Sequence, residues 1–326
     1  MKGFVFESYG ARVGLKSNTN SILEAMKDRL PPASKLIDSG APTCFFSIIA
    51  GDAGGERNGK CAYQLYRRRR LLRQTGSLDG ALDELESRLH FAVALESSPG
   101  LFVHAGVVGW NHGAIVIPGC SGSGKSTLVA ALVSAGADYY SDEYAVFDQA
   151  GYVHAYPKPL FLREPYDGRS GKCSPAELGG RSGTNPMPVK LVVATRYDET
   201  AHWQPRILSP GQAVLRLLEN TVRARKRAQC AIEIVARVAA GSLAIGGDRP
   251  SWDQVVPSLL ALCGRGSRGV NNERRLRSAQ HSFAPSRSAA WSPGAGQPQS
   301  GSRNLGADNT TKESTCHIGQ QCRTTT

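Results

Sequence analysis

The chain has 326 residues, 40% of them hydrophobic and 20% charged, with a formal net charge of +12. That suffices for one large domain or two smaller ones with a real core, and no apolar run approaches the roughly 18 residues a membrane span needs. The opening Met1-Lys2-Gly3-Phe4-Val5-Phe6-Glu7 is too short and too soon acidic for a secretory leader, so the expectation is a cytoplasmic chain without a membrane partner.

The 8 cysteines are scattered and none forms a C-x-x-C pair, which suits free thiols in a reducing compartment. Cys316-His317 with Cys322 offers too few ligands for a closed zinc site. About half of the positive excess falls in the last sixty or so residues. The rest includes Arg67-Arg68-Arg69-Arg70 and Arg223-Ala224-Arg225-Lys226-Arg227, read as solvated faces rather than a nucleic-acid interface.

In chain order, residues 4–6 and 13–15 read as short strands. Ser21-Ile22-Leu23-Glu24 has the capping-box pattern and predicts a short helix, ended by Pro31-Pro32. Residues 44–49 and 61–66 read as strands joined by the Gly-rich turn 51–59. Residues 77–96 predict a helix with Leu78, Leu82, Leu85, Leu89 and Val93 on one core-facing side.

Residues 102–108 and 114–117 are consecutive strands. An amphipathic helix follows over 126–135, with Leu128, Leu132 and Val133 on one side and Gly136 as its stop. Residues 138–140 form a short strand, and 144–147 with 152–156 form a hairpin. Residues 165–188, rich in Gly, Ser, Pro and Arg, read as a long mobile loop of the lid kind.

Residues 189–195 are a buried strand. Ser209-Pro210-Gly211-Gln212 opens a helix running through Leu215, Leu218 and Val222. Further elements are a helix over 228–240, a strand over 243–245, and a last helix from Ser251-Trp252-Asp253-Gln254 through Val255, Leu259 and Leu262. Beyond Cys263 the polar composition cannot bury enough surface to offset ordering entropy. The division expected is a small N-terminal α/β region (1–98), a central chemistry-bearing domain (99–263) and a disordered tail (264–326).

The chemistry concentrates in Gly119-Cys120-Ser121-Gly122-Ser123-Gly124-Lys125-Ser126, which matches G-x-x-x-x-G-K-[ST] at every required position. Glycines let the backbone curl so that successive N–H groups face phosphate oxygens. Lys125 adds a point charge, Ser126 offers a hydroxyl to Mg²⁺, and the following helix directs its positive end at the same anion. Gly119, Ser121, Gly122, Ser123, Gly124, Lys125, Ser126 and Thr127 are therefore the nucleotide-binding candidates, with ATP and Mg²⁺ the expected cofactors. The apolar strand before the loop and the helix after it supply the context such a motif requires.

Phosphoryl transfer also needs a carboxylate for metal and acceptor. Asp142 and Glu143 end the strand after the loop's helix, where ligands collect in parallel α/β sheets. Side chains alternate along an extended chain, so one of the pair faces the site and the other turns away or works through water. His104, on the preceding strand, is the remaining candidate.

Residues 102–108 (Phe102-Val103-His104-Ala105-Gly106-Val107-Val108), 114–127 and Gly136-Ala137-Asp138-Tyr139-Tyr140-Ser141-Asp142-Glu143 resemble the HPr serine kinase/phosphorylase family, and more specifically the bacterial HPr-kinase-related proteins. The resemblance covers roughly residues 100–160 and is looser through 188–240. It implies a P-loop kinase core of the HPr kinase/phosphoenolpyruvate carboxykinase type and a homo-oligomer. It makes Asp142 the base for the acceptor hydroxyl, gives Ser126 and Glu143 to Mg²⁺, and sets His104 beside the transferring phosphate. Asn220 and Arg223 fall near a later Asn/Arg element of that family. Thr127 stands where HPr kinases carry an acidic residue, and Glu143 where they carry a second aspartate. Both departures point away from HPr itself and from the reverse phosphorylase reaction.

The resulting expectation is an ATP- and Mg²⁺-dependent kinase acting on a hydroxyl, with Asp142, Lys125 and His104 catalytic and Ser or Thr of a small protein or peptide as acceptor. Two alternatives stand beside it: a nucleotide-gated binding module without phosphoryl transfer, and a small-molecule kinase. A transport ATPase is disfavoured, since no L-S-G-G-Q type signature occurs.

Overall fold

The computed structural model describes residues 1–38, 40–51, 62–98, 100–166, 168–224 and 227–264. The turn expected at 51–59 lies outside them apart from Gly51, as do Cys61, Arg225, Lys226 and the tail from residue 265 with its Cys316, His317 and Cys322. Among the described residues the chain is mixed α/β, with three sheets and six α-helices. No helix there is long and apolar enough to cross a membrane.

The N-terminal part runs β1 (Lys2–Ser8), β2 (Ala11–Ser17), α1 (Asn20–Lys27), β3 (Lys35–Ile37), β4 (Cys44–Ala50), β5 (Tyr63–Arg67), β6 (Arg70–Thr75) and α2 (Leu78–Glu96). Its strands form one sheet in the order β3-β1-β2-β4-β5-β6, antiparallel except for the β2–β4 pair. Strand alternation sends Phe6, Val13, Leu15, Phe46, Ile48 and Leu65 to one face, where they meet Ile22 and Met26 of α1 and the Leu82, Leu85, Leu89 and Val93 stripe of α2. The tetra-arginine run is the tight turn between β5 and β6, with Arg67 paired to Arg70. The first helix is capped by Thr19, whose side chain accepts from Ile22 N, rather than by Ser21, and it stops at Lys27, short of the two prolines. Strands β3 and β6 were not apparent from the sequence, being short or mostly exposed.

The rest follows as β7 (Leu101–Trp110), β8 (Gly113–Pro118), α3 (Lys125–Ser134), β9 (Asp138–Ser141), β10 (Tyr144–Phe147), β11 (Tyr152–His154), β12 (Leu160–Tyr166), β13 (Arg169–Cys173), β14 (Met187–Tyr197), β15 (Arg206–Ile207), α4 (Pro210–Glu219), α5 (Ala228–Gly241), β16 (Leu243–Arg249) and α6 (Trp252–Gly264). The second sheet has the order β11-β10-β7-β8-β14-β16-β15, with β9 beside β7. It is mixed rather than parallel. Strands β8, β14 and β16 are mutually parallel, while β7 runs antiparallel to both β8 and β9. The β7–β8 hairpin turns on Asn111 and His112, both at positive φ, as a two-residue turn matched to strand twist requires. The C-terminal ends of β8, β9, β14 and β16 consequently gather at one end of the sheet.

Three expectations are corrected here. Helix α3 is not amphipathic: residues 128–133 are all buried, because β7 lies on one side and α6 and the β12 strand cover the rest. Residues 165–188 are not a structureless loop. The β12–β13 hairpin and a short 3-10 turn at Ala176–Leu178 occupy much of that stretch, seated by Leu160, Leu162, Tyr166, Cys173 and Leu178 in the same core. Helix α4 carries the expected capping box at Ser209 and Gln212 but ends at Glu219, and Leu215 is exposed while Ala213 and Leu217 face inward.

The α3 core gives a direct check. Leu132 is fully buried, so Leu132→Ala is expected to cost about 2–5 kcal/mol of unfolding free energy by denaturant titration, from lost transfer energy plus the residual cavity.

Candidate functional site

Strand β8 delivers the chain into the glycine loop at the sheet end just described, and α3 carries it away. Gly122 and Gly124 adopt φ of 86° and 78°, conformations that side-chain-bearing residues resist. The loop is tied down at both ends: Gly119 N donates to His104 O at 3.2 Å, and Leu128 N donates to Gly124 O at 3.1 Å. Ser121 and Gly122 stand exposed at the crest. Lys125 is buried, and its Nζ donates to Cys120 O at 2.7 Å, folding the ammonium back over the loop. Ser123 Oγ is buried and has no hydrogen-bond partner among the described residues.

Across from the loop, the chain of β9 runs beside β7 with a one-residue register shift between Val107 and Val108. It leaves the ladder at Asp142 and Glu143 and rejoins it at Tyr144, opposite His104. Ser141 makes this break possible. Its buried hydroxyl accepts from Glu143 N at 3.1 Å and Tyr144 N at 2.9 Å, satisfying amides that the interrupted ladder leaves over.

The break lets the two carboxylates take different partners. Asp142 is 6% exposed. Its Oδ2 accepts from Ser126 Oγ at 3.1 Å and from Phe161 N at 3.4 Å, and its Oδ1 lies 3.1 Å from the Tyr139 hydroxyl. That hydroxyl also sits 2.7 Å from Lys158 O, so its single proton serves one acceptor at a time. Burial raises the Asp142 pKa above the ordinary aspartate value, and the nearby Lys158 charge only partly opposes it. Glu143 pairs directly with the Lys158 ammonium. Burial alone would raise its pKa, but Lys158 outweighs this and holds Glu143 below the usual glutamate range. Lys158 is held high in turn: burial opposes its charge, and Glu143 and Asp142 together prevail.

The structure thus brings Lys125, Ser126, Asp142 and Glu143 to one end of the sheet, with Ser126 and Asp142 in contact. Thr127 lies within the first turn of α3. His104 is half-buried, with its ring 4.8 Å from that of Tyr144 and its pKa lowered by burial. Its backbone joins the loop to Asn220, whose carbonyl accepts from His104 N at 2.7 Å. Arg223 is turned to Glu96 at 3.9 Å.

Sequence reasoning missed Lys158 and Arg249. Lys158 sits between Pro157 and Pro159, an apolar, donor-poor setting that marks it in retrospect. Arg249 ends β16, is 3% exposed, and donates through Nη2 to Gly124 O at 2.7 Å and Ser123 O at 3.4 Å. Comparison of the sequence with models of known protein families finds no match, and comparison with curated proteins finds none.

The Glu143–Lys158 pair makes a pH-dependent prediction. Because the folded-state pKa of Glu143 is lowered, its stabilising contribution is present above the ordinary glutamate value and is lost as pH falls through the lowered one. Lys158→Met leaves the buried Asp142 and the partly buried Glu143 without that charge, and both then take up protons more readily. The expected loss is on the order of 3 kcal/mol at pH 8 and distinctly smaller at pH 5, read by urea unfolding at the two pH values.

Proposed function

We propose that this chain is an ATP- and Mg²⁺-dependent kinase that transfers the γ-phosphoryl group to a hydroxyl, with Ser or Thr of a small protein or peptide as the acceptor. One observation carries the reading: the hydroxyl of Ser126, at the mouth of the glycine loop, meets the buried carboxylate of Asp142 at 3.1 Å. The resemblance of residues 100–160 to HPr kinases supports the same arrangement and the kinase core it implies.

The residues present fit the cofactor. Ser126 Oγ and Asp142 Oδ2 are adjacent oxygen donors, the chemistry a hard cation selects, and two protein oxygens leave positions for water and phosphate. Mg²⁺ bound there would neutralise charge on the β and γ phosphates. The glycine loop, with the buried Ser123 hydroxyl, the Lys125 ammonium and the N-terminus of α3, cradles the phosphates. The acceptor oxygen attacks the γ phosphorus, the bond from that phosphorus to the β–γ bridging oxygen breaks, and ADP leaves. Asp142, the base that the resemblance implies, takes the acceptor's proton. Glu143 pairs with Lys158 in the metal-free chain, and with Mg²⁺ bound it would serve the ion as the resemblance implies. Burial favours neutral His104, whose backbone braces Gly119 and whose side chain the resemblance sets beside the transferring phosphate.

The nucleotide-gated binding module drew on a mobile 165–188 and on the basic run at 223–227; the β12–β13 hairpin, seated in the α3 core, weakens the first of these and leaves the second. A small-molecule acceptor is decided by the same assay as a peptide. Purified chain, ATP labelled in the γ position, and panels of Ser/Thr peptides and hydroxylated metabolites are expected to yield a labelled phosphoester. Asp142→Asn and Lys125→Ala should each slow transfer about 10²- to 10⁴-fold. Transfer at the parent rate by both variants would overturn the assignment.

A further inference from the structure

A buried arginine ordinarily faces a carboxylate. Arg249 does not, among the described residues. Beyond the Ser123 and Gly124 carbonyls, its Nη1 donates weakly to Pro250 O at 3.5 Å, its Nε has no acceptor, and the Tyr197 ring lies 5.6 Å from the guanidinium carbon. Tyr197 and Arg249 are register partners at the ends of β14 and β16, so the parallel pairing itself aims the guanidinium at the loop. Gly124 completes the fit, since a Cβ there would stand 2.4 Å from Arg249 Nη2.

The peptide bond is planar and trans, so the C=O of one residue and the N–H of the next point in opposite directions. Drawing the carbonyls of Ser123 and Gly124 towards Arg249 therefore turns the N–H groups of Gly124 and Lys125 away from it. These amides belong to the first turn of α3, where helix geometry supplies no acceptor. A cation on the carbonyl side also polarises each peptide unit and strengthens its N–H as a donor.

We propose that Arg249 is a positioning residue of the phosphate site: from behind the loop it fixes the peptide planes presenting the Gly124 and Lys125 amides, and it supplies a buried positive charge that an anion seated in the loop offsets. The proposal rests on the nucleotide reading above and gives the loop a support 125 residues away in sequence.

The test is calorimetric titration of the full chain with MgATP and with inorganic tripolyphosphate at several ionic strengths, for the parent, Arg249→Met and Arg249→Lys. Arg249→Met is expected to bind both ligands at least tenfold more weakly and with a shallower salt dependence, having lost a charge. Arg249→Lys, which keeps the charge but not the planar fork, is expected to lose several-fold in affinity and retain the parent's salt dependence. Thermal melts establish that each variant is folded. Affinity within twofold of the parent in the folded Met variant overturns the proposal, as does an unchanged salt slope in that variant. Should the Met variant not fold, parent-like affinity in the Lys variant overturns it. Failure of the parent to bind either ligand removes the kinase reading and this inference together; normal parent binding with unaffected variants removes only this inference.

Discussion

A carboxylate taken out of water has to be repaid by hydrogen bonds from whatever surrounds it, and at Asp142 the donors come from three separate parts of the chain. Ser126 belongs to the first turn of α3, Tyr139 to β9 and the Phe161 amide to β12. Withdrawing the Ser126 hydroxyl or the Phe161 amide leaves the buried carboxylate under-solvated, and the Tyr139 hydroxyl, shared with Lys158 O, adds a third contact. The glycine loop, the break in the β9 strand and the β12–β13 hairpin are therefore mutually located by one side chain. The hairpin also rests on α3 through Leu160 and Leu162, so apolar packing and carboxylate solvation agree about where it sits.

Neighbouring acids with opposite surroundings acquire opposite characters. Glu143 meets an ammonium and stays ionised, while Asp142 meets neutral donors and a hydrophobic shell and becomes the more basic of the two. This separation of adjacent titratable groups is how a site obtains distinct proton-transfer and charge-holding roles from similar side chains. Lys158 is the hinge of the arrangement: it holds Glu143 below the usual glutamate range, whereas at Asp142 burial prevails over it.

Much of this was legible in local sequence. The α2 leucine stripe, the Ser209–Gln212 box, the glycine loop between a strand and a helix, and the acidic pair after Gly136 are all signals spanning a few residues, and each lies where its spacing places it. What escaped was set by distance along the chain. Lys158 meets Glu143 and Arg249 meets Gly124 only because strands and loops bring them together. The burial of α3 on every side depends on α6 and the hairpin, so no window around 126–135 reveals it. The Gly- and Ser-rich composition of 165–188 masked a hairpin whose anchors, Leu160, Leu162 and Cys173, mostly precede that window.

The aromatic groups behind the site belong to both halves of the chain. Tyr156 packs edge-on to Phe102, Tyr144 and His90, tilts against Tyr9, and its hydroxyl lies 2.6 Å from His90 Nδ1. Tyr9 comes from the β1–β2 turn and His90 from α2, whereas Tyr144 tilts against His104 beside the loop. A fragment beginning near residue 99 would hence start life with an unroofed ring cluster immediately beneath its acidic pair. Such a fragment would expose apolar surface and admit water beside the acidic pair, so excising the first hundred residues would change the surroundings of Asp142 and Glu143 without touching either.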